Sequence, residues 1–261
     1  MPKTEDILII VPLPCALICG KVALTVLPIP NKFTKKLIEA DKFRKLCESK
    51  VSVPIVGYKA GGTGIPVMKK LKEKEPFYAS IYKKNFLKSG KRVKINKSIL
   101  GIELEVCYLI KKSFFSSKGI ITKKNITKFI SHMAPCIEIV GYRQKKKGIT
   151  SFGDLCSDFG ANVKFIIGSK KKYKKINIGN LKTNIANKKI KQSVNGNTSA
   201  VYINPLNSLK FVLNKVRKDK INLNKDFYVF TGSTVGVVPI LGKGVYEGRI
   251  EKLGSVKTRI N

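Results

Sequence analysis

Gly101-Ile-Glu-Leu-Glu-Val-Cys-Tyr-Leu-Ile110 is the stretch on which the reading of this chain turns. In an extended strand successive side chains point to opposite faces, so Ile102, Leu104, Val106 and Tyr108 share one face while Glu103 and Glu105 share the other. A second apolar run, Pro135-Cys-Ile-Glu-Ile-Val140, carries a third glutamate, Glu138. Carboxylates gathered among apolar residues repel one another and lose hydration unless a cation, a proton or a basic partner offsets them. Ligands that are all oxygen suit Mg²⁺ or Mn²⁺. The same alternation is also the ordinary pattern of a half-buried strand with one wet face, and the Glu-x-Glu spacing alone does not choose between the two.

Outward from this run, short apolar segments separated by Gly, Asn and Lys clusters recur from Val53 onward, at 101–110, 135–140, 163–167, 227–231 and 245–250. That spacing predicts a β-rich body. One helix interrupts it: Asn204-Pro205 supplies a cap and a first-turn proline, and Leu206, Leu209, Leu213 and Val216 repeat at helical spacing. Ahead of the body, Phe33, Leu37, Ala40 and Cys47 fall on one face of an amphipathic helix, with Thr34 available as its cap. The chain thus divides into an N-terminal helical segment, residues 1–52, and a main domain, residues 53–261. The Lys-rich pieces 69–75, 169–175 and 183–192 read as solvated loops and edge strands, because apolar residues resume soon after each.

A hydrophobic content of 43% describes a folded globular chain and not a disordered one. The net charge of +36 would ordinarily point to nucleic acid. Lysine carries nearly all of it, whereas arginine, the side chain best suited to phosphate forks and base edges, stands only at 44, 92, 143, 217, 249 and 259. Lys, Asn and Ile are abundant together, a pattern of AT-rich coding, and nucleic acid is not read as the main partner. The 6 cysteines, Cys15, Cys19, Cys47, Cys107, Cys136 and Cys156, form no C-x-x-C pair and mostly stand among apolar neighbours. They read as buried thiols of a reducing, cytoplasmic compartment. Structural zinc is disfavoured, since His132 is the sole histidine. The apolar run Ile7–Gly20 contains Pro12 and Pro14 and stops at Lys21, so it reads as a packed N-terminal element and not as a membrane span or signal peptide.

The chain contains no Gly-x-Ser-x-Gly elbow, and a Ser-His-Asp triad would depend on His132. Gly57-Tyr-Lys-Ala-Gly-Gly-Thr-Gly64 lacks the Lys-Ser/Thr that a P-loop requires. Its Lys59 is a candidate for proton transfer if the ammonium sits in a pocket, and is otherwise a surface lysine. Thr231-Gly-Ser-Thr-Val-Gly236 offers hydroxyls and backbone N–H groups to an anion, and would look the same as a plain β-turn.

Taken in order, Val56-Gly-Tyr-Lys-Ala-Gly-Gly-Thr63, Ile102-Glu-Leu-Glu-Val106, Pro135-Cys-Ile-Glu-Ile-Val140 followed by Arg143, Asp158-Phe-Gly-Ala-Asn162 leading to Phe165-Ile-Ile-Gly168, Asn204-Pro-Leu-Asn-Ser-Leu209 and Phe230-Thr-Gly-Ser-Thr-Val-Gly-Val-Val-Pro239 form a collinear set. This set resembles the 2-keto-4-pentenoate hydratase/4-oxalocrotonate decarboxylase family of the fumarylacetoacetate-hydrolase-like superfamily, across roughly residues 30 to 250. The resemblance implies an α+β, β-rich fold, a mixed β-sandwich or β-roll, in a homo-oligomer. It implies Glu103, Glu105 and Glu138 as ligands of Mg²⁺ or Mn²⁺, Lys59 as general acid/base, and Arg143, Thr231 and Ser233 as substrate-binding residues. The substrate it implies is a small keto or enol carboxylic acid: a hydratase would add water to a 2-hydroxy-2,4-dienoate, and a decarboxylase would use the same electron sink. An acylpyruvate C–C hydrolase and an inactive fold that binds nucleic acid are further alternatives. One departure stands out. Many relatives carry an acidic residue where this chain reads Tyr82-Lys-Lys-Asn85, with Lys84 or a neighbour in its place. The change points to a different keto acid, to decarboxylation, or to a protein that keeps only the fold.

Overall fold

Regular structure in the computed structural model follows the apolar runs closely; residues 36–143 and 151–261 are described. Among the described residues, helix α1 (Leu37–Ser49) is followed by strand β1 (Ile55–Gly61), α2 (Ile65–Lys70), β2 (Phe77–Tyr82), β3 (Phe86–Lys88), β4 (Arg92–Val93) and β5 (Ile99–Ile110). The one-turn helix α3 (Ser113–Ser116) leads to β6 (Ile130–Gly141), α4 (Phe152–Ser157), β7 (Asn162–Ile167), β8 (Lys171–Lys172), β9 (Lys182–Asn187) and β10 (Gln192–Asn197). Helix α5 (Pro205–Lys218) and strands β11 (Phe227–Ser233), β12 (Gly244–Ile250) and β13 (Gly254–Ile260) complete the chain.

The described residues form two sheets, ordered β2-β1-β11-β5-β6-β7-β3 with β8 added on β6, and β10-β9-β12-β13-β4. Both are mixed, since β1–β11, β3–β7 and β13–β4 are parallel pairs. The long strands β5 and β6 run antiparallel at the centre, in a register that sets Leu104 opposite Ile137 and Glu103 opposite Glu138. Ile102, Leu104, Val106, Ile137 and Ile139 form one buried cluster with Ile185, Tyr246, Ile250 and Val256 of the second sheet. Gly248 on β12 makes room for this contact: a Cβ there would lie 2.4 Å from Leu104. The architecture is the expected β-rich α+β sandwich.

Helix α5 begins as its sequence predicts, with the Asn204 side chain accepting the Leu206 N–H at 2.9 Å and Pro205 in the first turn. Leu209, Val212, Leu213 and Val216 are buried with Tyr58 and Phe227. Helix α1 starts at Leu37, so the expected face keeps Ala40 and Cys47 buried, while Phe33 and Thr34 lie outside the described residues. Its docking depends on a residue that hydrophobic periodicity overlooks. Arg44 is fully buried, bonded to Asp41 at 2.6 Å and Glu48 at 2.5 Å, and its guanidinium lies 4.5 Å from the Tyr78 ring centroid. The Lys-rich piece 183–192 departs from the edge-strand reading. It supplies β9, which is paired on both sides, by β10 and β12. Thr183, Ile185 and Asn187 point inward, which leaves the lysines at the ends and in the connecting turn. Among the described residues no helix is long and apolar enough to cross a membrane; the run Ile7–Gly20 lies outside them.

Candidate active site

Strand alternation places the site. Lys59 pairs with Phe230, Phe230 with Cys107, and Glu103 with Glu138, so Lys59 and the three glutamates occupy the face of the large sheet turned away from the second sheet. Candidate ligand oxygens of Glu103, Glu105 and Glu138 all lie within 4.8 Å of one another. Glu105 and Glu138 are fully buried, whereas Glu103 is half-buried and lines a cleft of about 180 Å³. The rest of that cleft is walled by Lys59, the loop Gly61–Gly64, Val67, Leu100, Val140, Tyr142, Leu155, Gly160 and the segment around Gly232 and Ser233.

Lys59 donates to Glu138 Oε1 at 2.5 Å and to the Gly160 carbonyl at 3.0 Å. An ammonium has three N–H donors, so one remains for the cleft. Glu105 Oε2 accepts the Gly232 N–H at 2.8 Å. That contact depends on glycine: residue 232 has φ +106, and a Cβ there would meet Thr63 Oγ1 at 2.0 Å. The ladder between β11 and β5 shifts register between Phe230 and Ser233, and this irregularity turns the Gly232 amide inward. Glu105 Oε1 and Glu138 Oε2 are buried and find no hydrogen-bond partner among the described residues. Bare carboxylate oxygens this close together form a donor set that fits a hard divalent cation.

The electrostatics agree. Burial raises the Glu105 carboxyl well above the usual range, and the charges of Glu138 and Glu103 push the same way. Glu138 is raised to about 7, by burial first and against the opposing effect of Lys59. Glu103 is raised by burial, with Lys59 again opposing. Burial works against the Lys59 charge, but Glu138, Glu103 and Glu105 outweigh it and hold the ammonium above its ordinary value. Lys59 is therefore a charged, buried ammonium and not a surface lysine.

Of the other sequence candidates, Ser233 lines the cleft and donates to the Gly236 carbonyl at 2.8 Å. Thr231 is fully buried, and its hydroxyl donates to the Val106 carbonyl at 2.8 Å, away from the cleft wall. Arg143 is likewise not on the wall; its guanidinium is held by Asp158 and Asn162. None of Tyr82–Asn85 lines the cleft, and Lys84 is exposed, its carbonyl accepting from Lys164 at 3.2 Å. Sequence reading missed the Gly232 amide and the Gly160 carbonyl. Gly160 belongs to a turn whose Phe159, Gly160 and Ala161 have φ of 55°, 72° and 55°. For Phe and Ala this left-handed conformation costs about 1–2 kcal/mol each. The motif Asp158-Phe-Gly-Ala-Asn162 was visible in the sequence, but nothing in it reveals which carbonyl faces Lys59.

No protein-family model matches the chain, and no curated protein sequence matches it. Solved structures do. The 4-oxalocrotonate decarboxylase from Pseudomonas putida G7, complexed with magnesium and adipate, superimposes with a TM-score of 0.79 at 19% identity over 98% of each chain. The fumarylpyruvate hydrolase from Pseudomonas aeruginosa, in complex with Mn²⁺ and pyruvate, gives 0.60 at 12% identity over 80% of this chain and 90% of that one. The 2-hydroxyhepta-2,4-diene-1,7-dioate isomerase from Mycobacterium marinum gives 0.53 at 14% identity, covering 80% and 76%. At such identities these likenesses establish the fold, the fumarylacetoacetate-hydrolase-like one that the sequence motifs resemble.

Proposed function

We propose that this chain is a divalent-cation-dependent enzyme of the 2-keto-4-pentenoate hydratase/4-oxalocrotonate decarboxylase family, a hydratase adding water to a 2-hydroxy-2,4-dienoate to give a 4-hydroxy-2-keto acid. One observation carries the reading: three clustered carboxylates, two with bare buried oxygens, share a cleft with a buried lysine. Glu103, Glu105 and Glu138 would hold Mg²⁺ or Mn²⁺, which when bound would stabilise negative charge on the substrate's carboxylate and neighbouring enol oxygen. Magnesium and manganese accompany two of the structures that share the fold.

The chain's own groups account for the proton movements. Lys59 Nζ starts charged, so it can deliver a proton to the distal carbon as the dienol becomes a conjugated ketone. Two of its N–H groups are fixed by Glu138 and Gly160, which aims the third at the cleft. With the enol O–H proton released to solvent when the substrate binds, the neutral amine left behind accepts a proton from the water that adds to the alkene carbon. It passes this proton to the carbon next to the ketone and is reprotonated from solvent, so the protons balance. The apolar wall of Val67, Leu100, Val140, Leu155 and Val237 suits the uncharged tail of such an acid and limits stray water. That wall also supports a second reading, decarboxylation of a related keto diacid, because an apolar surround disfavours the departing carboxylate relative to CO₂. The decarboxylase of the same fold supports it too. A C–C hydrolase using a histidine is less well supported: His132 pairs with Leu109 and Lys172 and is not on the cleft wall. The family reading also carries an expected homo-oligomer, to be measured by sedimentation velocity.

The test is to incubate metal-stripped protein with freshly made 2-hydroxypenta-2,4-dienoate, with and without Mn²⁺, and weigh the product. Gain of one water only with Mn²⁺ supports the hydratase. Loss of CO₂ from 2-oxohex-3-enedioate without hydration assigns the second reading. Neither reaction, with Mn²⁺ bound to folded protein, overturns both.

A further inference from the structure

We infer that Arg143 is a positioning residue, one that straps the left-handed turn Phe159–Ala161 so that the Gly160 carbonyl holds Lys59 in place. This inference rests on the assignment of Lys59 as the proton donor, and gives Arg143 a task other than binding the substrate's carboxylate. Arg143 follows the end of β6, two residues after Gly141. Its backbone N–H donates to Asp158 Oδ2 at 3.0 Å. One arm of the guanidinium donates to the Asp158 carbonyl at 3.1 Å; the other donates to the Asn162 carbonyl and, at 3.1 Å, to Asn162 Oδ1. Asp158 and Asn162 are the residues on either side of the turn, so a single planar fork ties both of its ends.

The turn needs such a tie. Phe159 and Ala161 carry Cβ atoms in a backbone region that suits glycine, so the local sequence would relax out of it without an external clamp. Asn162 adds a second anchor, its side-chain amide donating to the Ser80 carbonyl at 3.1 Å. The turn in turn lies directly on the lysine: a Cβ on Gly160 would be 3.3 Å from both Lys59 Cδ and the Phe77 ring. Asp158 is 1% exposed and pairs with Arg143 at 3.5 Å, which keeps the guanidinium committed to the turn.

Arg143→Lys separates the two roles. It keeps the charge, which an anion anchor would tolerate, but loses the planar fork that reaches both carbonyls. Positioning predicts that kcat on the dienoate falls about 100-fold, the scale of a misplaced catalytic group, with KM little changed. A raised KM with kcat intact would overturn the proposal. A readout independent of turnover is the Lys59 ammonium signal in ¹⁵N NMR, assigned by its loss in Lys59→Met. In the wild type the bonded ammonium exchanges slowly enough to be seen; in Arg143→Lys it is lost to fast exchange while Mn²⁺ affinity and the far-ultraviolet spectrum persist. An unchanged signal would also overturn the proposal. Should the wild type not act on the dienoate, the proposed function fails while the NMR comparison still decides this one. If Arg143→Lys does not fold, Asn162→Ala, which removes one arm's side-chain acceptor and the Ser80 anchor, is read in the same two ways.

Discussion

On one side of β5 and β6, Ile102, Leu104, Val106, Ile137 and Ile139 are sealed by the second sheet. On the other, two residues away at most, Glu103, Glu105 and Glu138 crowd round Lys59 beside a cleft. The backbone is shared and so is its hydrogen-bond ladder, yet the first face is arranged for packing and the second against electrostatic ease. Burying a like-charged trio destabilises the metal-free protein unless protons or cations intervene. The apolar face, together with α5, supplies the stability that lets the charged face exist, a division common where sites and cores share one sheet.

This contrast can be broken from either side. The largest effect belongs to Lys59→Met, which should lower turnover by about 10²–10⁴-fold while Mn²⁺ still binds; steady-state rates beside a Mn²⁺ titration would check it, and near-normal rates would remove Lys59 from the chemistry. Leu104→Ala works on the opposite face and should cost about 2–5 kcal/mol in urea denaturation with Mn²⁺ affinity retained. If affinity collapsed with it, the two faces would not be separable. Glu105→Gln should stabilise the metal-free protein by about 1 kcal/mol and diminish the stabilisation given by added Mn²⁺. A loss of stability without metal would show the carboxylate to be structural.

The pH dependence sharpens the contrast further. Glu138 is raised to about 7 in the folded chain from an ordinary value of 4.5, and burial raises Asp158 to about 6 despite Arg143. Between these ordinary and folded values the native state holds more protons than the unfolded one, so the stability due to these groups is full below the ordinary values of 3.8 and 4.5, is lost progressively as pH rises from there to about 7, and falls no further above. Metal-free protein should thus lose stability over that interval, relative to a Glu138→Gln variant, while the increase in Tm caused by Mg²⁺ should grow as the carboxyls ionise. Thermal melts across the interval measure both. The smallest effect is expected from Ser233→Ala: its hydroxyl bonds a loop carbonyl at the cleft rim, so stability should change by no more than about 0.5 kcal/mol.

Much of this contrast was legible in the sequence because it is local. Alternation in Gly101–Ile110 sorts the apolar from the acidic face without knowledge of any partner strand, and Asn204-Pro205 announces α5 within two residues. The collinear motifs grouped the distant Lys59, Glu103, Glu105 and Glu138, and in the fold these four lie on one sheet face. What escaped reading depends on backbone conformation and long-range contacts. The Gly232 amide reaches Glu105 only through a shifted register, and Phe159 and Ala161 take a left-handed conformation that their own side chains disfavour. Arg44 escaped for a related reason: its burial follows from Asp41, Glu48 and Tyr78 closing round it, which helical periodicity cannot express.

The proposed function depends above all on Glu103, Glu105 and Glu138 together binding a divalent cation. Titrating Mn²⁺ into wild-type protein and into a Glu103→Gln, Glu105→Gln double variant, followed by electron paramagnetic resonance, tests it most directly. One tight site per chain is expected in the wild type, with an affinity at least about 100-fold weaker in a folded double variant, beyond what loss of outer supporting groups causes. Full Mn²⁺ affinity in the double variant would contradict it.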